Sequence, residues 1–359
     1  MKRAVEQRRG TDEQVDKMQR HHKMSKKRHE RIAVPRSGRE GEARSRWKGF
    51  VMGINHILRR NKHQSLYVGV FVAFVWTFAI TVHAQGISEV KTNKSFLWSI
   101  EREKNTIYLL GSIHLLKTDS YPLSKGIEDA YDRCKKIVFE TDIHGMKDLA
   151  LQTKMMTLGL YADGQTLEQN ISKQTYASLK KKAVEAGLSM AVLDRFKPWL
   201  CAVTLAATEL QRLGFDPNYG IDMYFFDKAK KDNKEITFLE TADYQLEAFT
   251  DMAGREEESF LKQTLKDLEV VETMFSDIVD SWKTGDVDRL GSIMRISFKC
   301  HPDIYDRLVI QRNKEWITQI ENLINQDDNV LVIVGAGHLV GTENILELLK
   351  KKGYKIRQR

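Results

Sequence analysis

Two short apolar runs, far apart in the chain, end in the same way. Thr106-Ile107-Tyr108-Leu109-Leu110 leads into Gly111-Ser112-Ile113-His114, and Val330-Leu331-Val332-Ile333-Val334 leads into Gly335-Ala336-Gly337-His338. Apolar runs of this length, bounded by glycine, read as buried strands. Each presents a histidine three residues after its glycine. An imidazole there can bind metal or move a proton near neutral pH. The pair therefore predicts one site assembled from both ends of a domain. Spacing alone is weak, since 22 Gly and 10 His give about 0.6 Gly-x-x-His matches by chance. Gly53-Ile54-Asn55-His56 is such a match, with no strand before it. Strand context separates the other two from it.

The body of the chain is not basic, although the whole carries +8. Of 57 Lys and Arg and 49 Asp and Glu, 19 and 7 lie in residues 1–63, and residues 64–84 carry none. The remainder holds 38 against 42, a net −4, which argues against nucleic acid as a partner. Residues 1–63 are polar, charged and without apolar periodicity, which predicts disorder. Leu66 to Val82 is almost wholly apolar, follows Arg59, Arg60 and Lys62, and is slightly short for a spanning helix. With Val82-His83-Ala84 behind it, this predicts a secretory signal peptide spanning residues 64–84 and cut after Ala84. The rival is an uncleaved inner-membrane anchor over residues 66–83. Met52 would place the apolar segment at the usual distance from a start, so residues 1–51 are read as a mispredicted beginning. An exported chain is expected in the periplasm or outside the cell. Cys134, Cys201 and Cys300 are an odd number and permit at most one disulfide. All three read as small buried residues. Cys300 beside His301 is a weak metal candidate.

Residues 94–359 suffice for one large domain. Strands are expected at Ser95–Ile100, Thr106–Leu110, Lys136–Phe139, Glu235–Leu239, Val330–Val334 and Tyr354–Arg357. Helical stretches separate most of them, including one long amphipathic helix over Arg255–Lys283. The pattern predicts an α/β fold with a central mixed sheet, flanking helices and a large helical lobe. Ligands of such sheets sit outside the carboxyl ends of the strands. Four strand ends here carry His114, Glu140, Glu240 and His338.

Two imidazoles and two carboxylates on one rim suit a divalent metal, whose bound water ionises near pH 7. They suit equally a metal-free histidine base oriented by a carboxylate. The bland readings stand beside these. A histidine past a strand can cap a helix, Glu140 can answer a structural arginine, and Glu240 and Asp222 can be ordinary carboxylates near a helix start. Asp142 reads as a helix cap. Arg312, on a helix, is either solvated or a group that binds a substrate oxygen or steadies an oxyanion.

The chain resembles the TraB/GumN family, which includes pheromone-shutdown proteins and the Tiki metalloproteases. The resemblance runs from Phe96 to Arg357. It rests on Leu110-Gly111-Ser112-Ile113-His114-Leu115, Val138-Phe139-Glu140-Thr141-Asp142, Gly220-Ile221-Asp222 with Phe238-Leu239-Glu240-Thr241, Arg312-Asn313 with Trp316, and Val334-Gly335-Ala336-Gly337-His338-Leu339-Val340-Gly341. It implies a fold related to the erythromycin-esterase and ChaN-like proteins, and metal-dependent peptide hydrolysis as in the Tiki members. It assigns His114, His338 and Glu140 as holders of a divalent ion, Mn, Co or Zn, and Arg312 as a further catalytic residue. One departure is Gln311, where the family usually carries an acidic residue. The expected function is an exported metal-dependent hydrolase of peptides or proteins. The alternatives are a non-catalytic protein that sequesters a peptide or haem-like ligand, and a metal-free esterase-type hydrolase.

Overall fold

A computed structural model describes residues 94–145, 148–250, 254–299 and 302–359. The chain divides into two units, residues 1–62 and 63–359, and every described residue belongs to the second. The expected signal segment, the leader, Cys300 and His301 lie outside the described residues.

Six strands form one sheet: β1 (Leu97–Glu101), β2 (Thr106–Ser112), β3 (Lys136–Phe139), β4 (Glu235–Phe238), β5 (Val330–Gly335) and β6 (Arg357–Gln358), in the order β4-β3-β5-β2-β1-β6. β2, β3, β4 and β5 run parallel, and β1 pairs antiparallel with both β2 and β6. The sheet is mixed and the fold α/β, as the alternation predicted. The parallel centre is buried on both faces, which is why β2 and β5 are continuous apolar runs rather than alternating ones.

The strand order explains where the chemistry falls. The chain passes from β2 to β3 and out to β4, then returns to lay β5 between β2 and β3. That reversal leaves a crevice at the carboxyl ends of the central strands. β2↔β5 pairing runs from Ile107↔Val330 to Ser112↔Gly335, so the two Gly-x-x-His ends lie side by side.

Helices cover the sheet and build the lobe. α1 (Lys125–Arg133) precedes β3; α2 (Leu149–Gly159), α3 (Lys173–Glu185), α4 (Pro198–Arg212) and α5 (Ile221–Lys231) follow it. After β4 come α6 (Ala242–Thr250), α7 (Gly254–Asp267), α8 (Val271–Thr284), α9 (Val287–Ser297) and α10 (Arg312–Ile324). α11 (Ile345–Lys351) sits between β5 and β6 and ends ahead of Gly353, whose φ is +92°.

Three element readings are revised. The single helix expected over Arg255–Lys283 is two, because α7 ends at Asp267 and α8 starts at Val271. Apolar spacing continues through the break (Leu261, Leu265, Leu268, Val271, Phe275), so periodicity could not reveal it. The closing strand is short, limited to Arg357–Gln358 by its pairing with Trp98 and Ser99. Asp142 caps a turn rather than a helix, accepting from the His144 N–H at 3.0 Å, while Asp148 is the N-cap of α2. Cys134 and Cys201 are buried free thiols, as expected. Among the described residues, no helix is long and apolar enough to cross a membrane.

Candidate functional site

The rim is built from strand ends that leave little freedom. The Glu240 N–H donates to the Glu140 carbonyl at 2.8 Å, and the Leu239 N–H to the Phe139 carbonyl at 2.9 Å, so the two glutamates leave β3 and β4 together. Gly335 closes the other side. Its N–H donates to Glu140 Oε1 at 2.5 Å. A Cβ at position 335 would stand 3.2 Å from Glu140 Oε1, 3.6 Å from His114 Nε2 and 3.7 Å from His338 Cδ2. Those three side chains thus gather around the one strand-end position that carries no side chain.

Each imidazole is fixed from behind. His114 Nδ1 lies 2.6 Å from Asp222 Oδ2. Asp222 is delivered by the first turn of α5, whose start presses on His114: the Ile221 N–H donates to the Ile113 carbonyl at 3.0 Å, and a Cβ on Gly220 would collide with the His114 carbonyl. His338 Nδ1 lies 2.6 Å from Asn313 Oδ1. Asn313 Nδ2 donates to the Glu343 carbonyl at 3.0 Å, which settles the amide orientation and makes Nδ1–H of His338 the donor. Nε2 of each ring is left for the rim: that of His338 lies 3.8 Å from Glu140 Oε1, and that of His114 shares with this oxygen the surroundings of Gly335. Each ring thus has the backing partner that metal-binding histidines commonly have.

Arg312 occupies the centre of the charge. It is 1% exposed. Nη2 donates to Glu140 Oε2 at 2.8 Å and to Glu240 Oε1 at 2.5 Å, while Nε donates to Glu240 Oε2 at 2.8 Å. Trp316 Nε1 donates to Glu240 Oε2 at 3.0 Å, and the guanidinium lies 4.5 Å above the indole. Asp306–Gln311, just before α10, is a π-helical segment. Such wide turns recur at functional sites, and here the Leu308 carbonyl accepts from Arg312 Nη1 at 3.1 Å.

Burial and charge set the protonation states. Burial would raise the Glu140 carboxyl, but Arg312, both histidines and the Gly335 N–H outweigh it and hold it down at about 2. Burial disfavours charge on His338 and, together with Arg312 and His114, outweighs the pull of Glu140 and lowers it to about 3, so the ring is neutral. Burial works the same way on His114, but Asp222 and then Glu140 overcome it and raise the imidazole to about 8. Glu240 is raised, burial outweighing its pairing with Arg312.

The four residues singled out by the sequence, His114, Glu140, Arg312 and His338, lie together, with Glu240 behind them. Arg312 reaches two carboxylates and a carbonyl rather than the surface. Asp222 and Asn313, read as unremarkable or only as part of a motif, are the partners of the histidines. A signal for both was present. Asp222 shares a helix face with Phe225 and Phe226, and Asn313 with Trp316 and Ile317. A polar group on a core face requires a partner.

A divalent ion can be tested against these donors. Among the described residues, no three His, Cys, Asp or Glu side chains meet as a complete ligand group. Of the expected ligands, His338 Nε2 and Glu140 Oε1 stand 3.8 Å apart, and Arg312 Nη1 stands 3.3 Å from the same Nε2. The donor types and their backing fit a divalent ion; ligation through His338 needs Nη1 to give way. A separate cavity of 660 Å³ lies between α3, α4 and the α7–α8 turn, and none of the rim residues lines it.

The model of the TraB/PrgY/gumN family matches residues 96–358. The chain belongs to this family. Its relatives include the uncharacterized protein YbaP of Escherichia coli K12, 24% identical over 243 residues, covering 68% of this chain and 87% of YbaP. An uncharacterized protein of Treponema pallidum is 23% identical, over 74% of this chain and 83% of its own. The metalloprotease TIKI homolog of Nematostella vectensis is 22% identical, over 74% of this chain and 67% of its own. No solved structure matches.

Proposed function

We propose that this TraB/PrgY/gumN member is an exported hydrolase that cleaves peptide bonds with the help of a divalent ion. The observation that carries the reading is the pair of imidazoles anchored at Nδ1, by Asp222 and Asn313, and gathered with Glu140 around Gly335. Family members named as metalloproteases support it. His114 Nε2, His338 Nε2 and the Glu140 carboxylate would hold the ion. A bound divalent ion supplies Lewis acidity and a water that ionises near pH 7.

The chain's own residues prepare that site. Asp222 and Asn313 fix the two rings. Arg312 keeps Glu140 ionised, and the Gly335 N–H aims its Oε1. The substrate approaches from the His114 side, where the imidazole retains 19% of its surface while His338 retains 3%. Export rests on the apolar segment before Ala84.

A second reading has one specific observation behind it. His114 with Asp222 is a base–carboxylate pair that could deprotonate water without metal, and Arg312 already supplies a cation beside Glu140. Cleavage of internally quenched peptides by the full chain separates the two. The metal reading expects turnover that a chelator abolishes, that Mn²⁺, Co²⁺ or Zn²⁺ restores, and that His114→Ala removes. Turnover indifferent to chelator supports the metal-free pair. No cleavage under any condition rejects both.

A further inference from the structure

Three buried polar atoms at the rim have no hydrogen-bond partner among the described residues: Ser112 Oγ, Thr141 Oγ1 and Gln245 Oε1. Their residues are 2%, 4% and 1% exposed. All three belong to residues next to Glu140, in the chain, in strand register or by a hydrogen bond. Thr141 follows it in the chain, and Ser112 pairs in register with Gly335, whose N–H is bound to Glu140 Oε1. Gln245, on α6, donates from Nε2 to Glu140 Oε2 at 3.2 Å. A buried polar atom left unpaired is costly, and such atoms gathered at one site indicate a partner that arrives with a ligand.

Gln245 says most about that ligand. Its amide orientation is settled, because the flipped form would aim an oxygen at a carboxylate. Oε1 is therefore a pure acceptor, and within one amide it lies close to the Nε2 that touches Glu140. Hydroxyls such as Ser112 and Thr141 adapt to either partner, whereas an amide oxygen demands a donor. A peptide bond carries one, and an ester does not.

Resting on the hydrolase reading above, we infer that Gln245 is a specificity residue: its Oε1 accepts the N–H of the scissile amide and so selects peptides over esters. When the C–N bond breaks, the acceptor stays with the departing nitrogen, which takes a proton from the water that supplies hydroxide to the carbonyl carbon. Oε1 is closed to solvent in this structure, so the pairing requires the bound peptide to open a path to it.

The test uses the full chain and two probes. One is the internally quenched decapeptide that the wild-type protein cleaves fastest from a random mixture. The other is the same peptide with –O– in place of its scissile –NH–. Gln245→Met removes the acceptor; Gln245→Glu keeps an oxygen. Both variants also disturb Glu140, but that disturbance is common to the two probes and cancels in the ratio of their kcat/KM values. The amide-to-ester ratio should fall about ten- to a hundred-fold in Gln245→Met and much less in Gln245→Glu. Wild type alone provides a reading that needs no variant: KM for the ester should exceed that for the amide about tenfold or more. Equal KM values, or an unchanged ratio in Gln245→Met, would overturn the assignment while leaving the hydrolase intact. If wild type cleaves no decapeptide of the mixture, the hydrolase reading falls and takes this one with it.

Discussion

Asp222 decides what His114 can do. Both the ligand role and the base role need a neutral Nε2, and the carboxylate at Nδ1 raises the imidazole to about 8. A group raised in this way favours the folded state below its unfolded value, and the advantage is lost as pH climbs through the folded one. In metal-free protein, histidine NMR should show His114 titrating near 8. In Asp222→Asn the pull of the charge is gone while burial remains, so the same resonance should titrate below its ordinary 6.5. An unchanged midpoint would remove Asp222 from the site. Arg312 makes the opposite kind of contribution. Arg312→Met leaves Glu140 and Glu240 buried without their cation, and breaking a buried pair in this way costs about 3–5 kcal/mol. Urea unfolding at pH 7 measures it. A loss under 1 kcal/mol would show that the two carboxylates relax into water.

At the scale of elements, the strand–glycine–histidine ends were legible because burial on both faces of a parallel sheet writes a continuous apolar run. The central strands β2, β3 and β5 follow from that code, whereas β4 and β6 are less buried and the closing strand was misplaced for lack of it. His114, Glu140, Glu240 and His338 could be placed on a shared rim because parallel strands bring their carboxyl ends to one edge. The partners of those residues were harder to see. Asp222, Asn313 and Gln245 come from helices, and which helix face meets the rim depends on packing that no local pattern records. The α7–α8 break was hidden for the same reason: the apolar stripe crosses it without a change of phase. The helical lobe depends on longer contacts of its own. Glu258, on α7, accepts from the Ser172 N–H at 3.1 Å and from Thr175 Oγ1 at 2.7 Å, so it ties α7 to the start of α3. Burial would raise this carboxyl, but the bonds from Ser172, Thr175 and Lys262 outweigh it and hold it at about 2. Its contribution is complete above the ordinary carboxylate range and is lost as pH falls toward 2. Glu258→Gln should lower stability by about 1 kcal/mol at pH 7 and flatten that part of the acid unfolding curve. Equal acid profiles for the two proteins would contradict this.

For the whole molecule, the basic leader and the acidic body call for different treatment. The body, net −4 over residues 85–359, carries the fold and the site; the excess positive charge belongs to residues 1–63. If the apolar segment is a signal peptide, intact mass of the exported protein should begin at Gln85. Recovery of uncleaved chain in the membrane fraction would establish an anchor instead. Residues 114 and 338, at opposite ends of the body, are proposed to form one divalent-ion site with Glu140. Crystals of the protein soaked in Mn²⁺ and measured at the manganese edge would locate such an ion. One anomalous peak is expected within ligand distance of His114 Nε2, His338 Nε2 and the Glu140 carboxylate, about 2.0–2.3 Å from each, with Arg312 Nη1 drawn off His338. A peak elsewhere, or none at the rim with Arg312 still against His338, would contradict it.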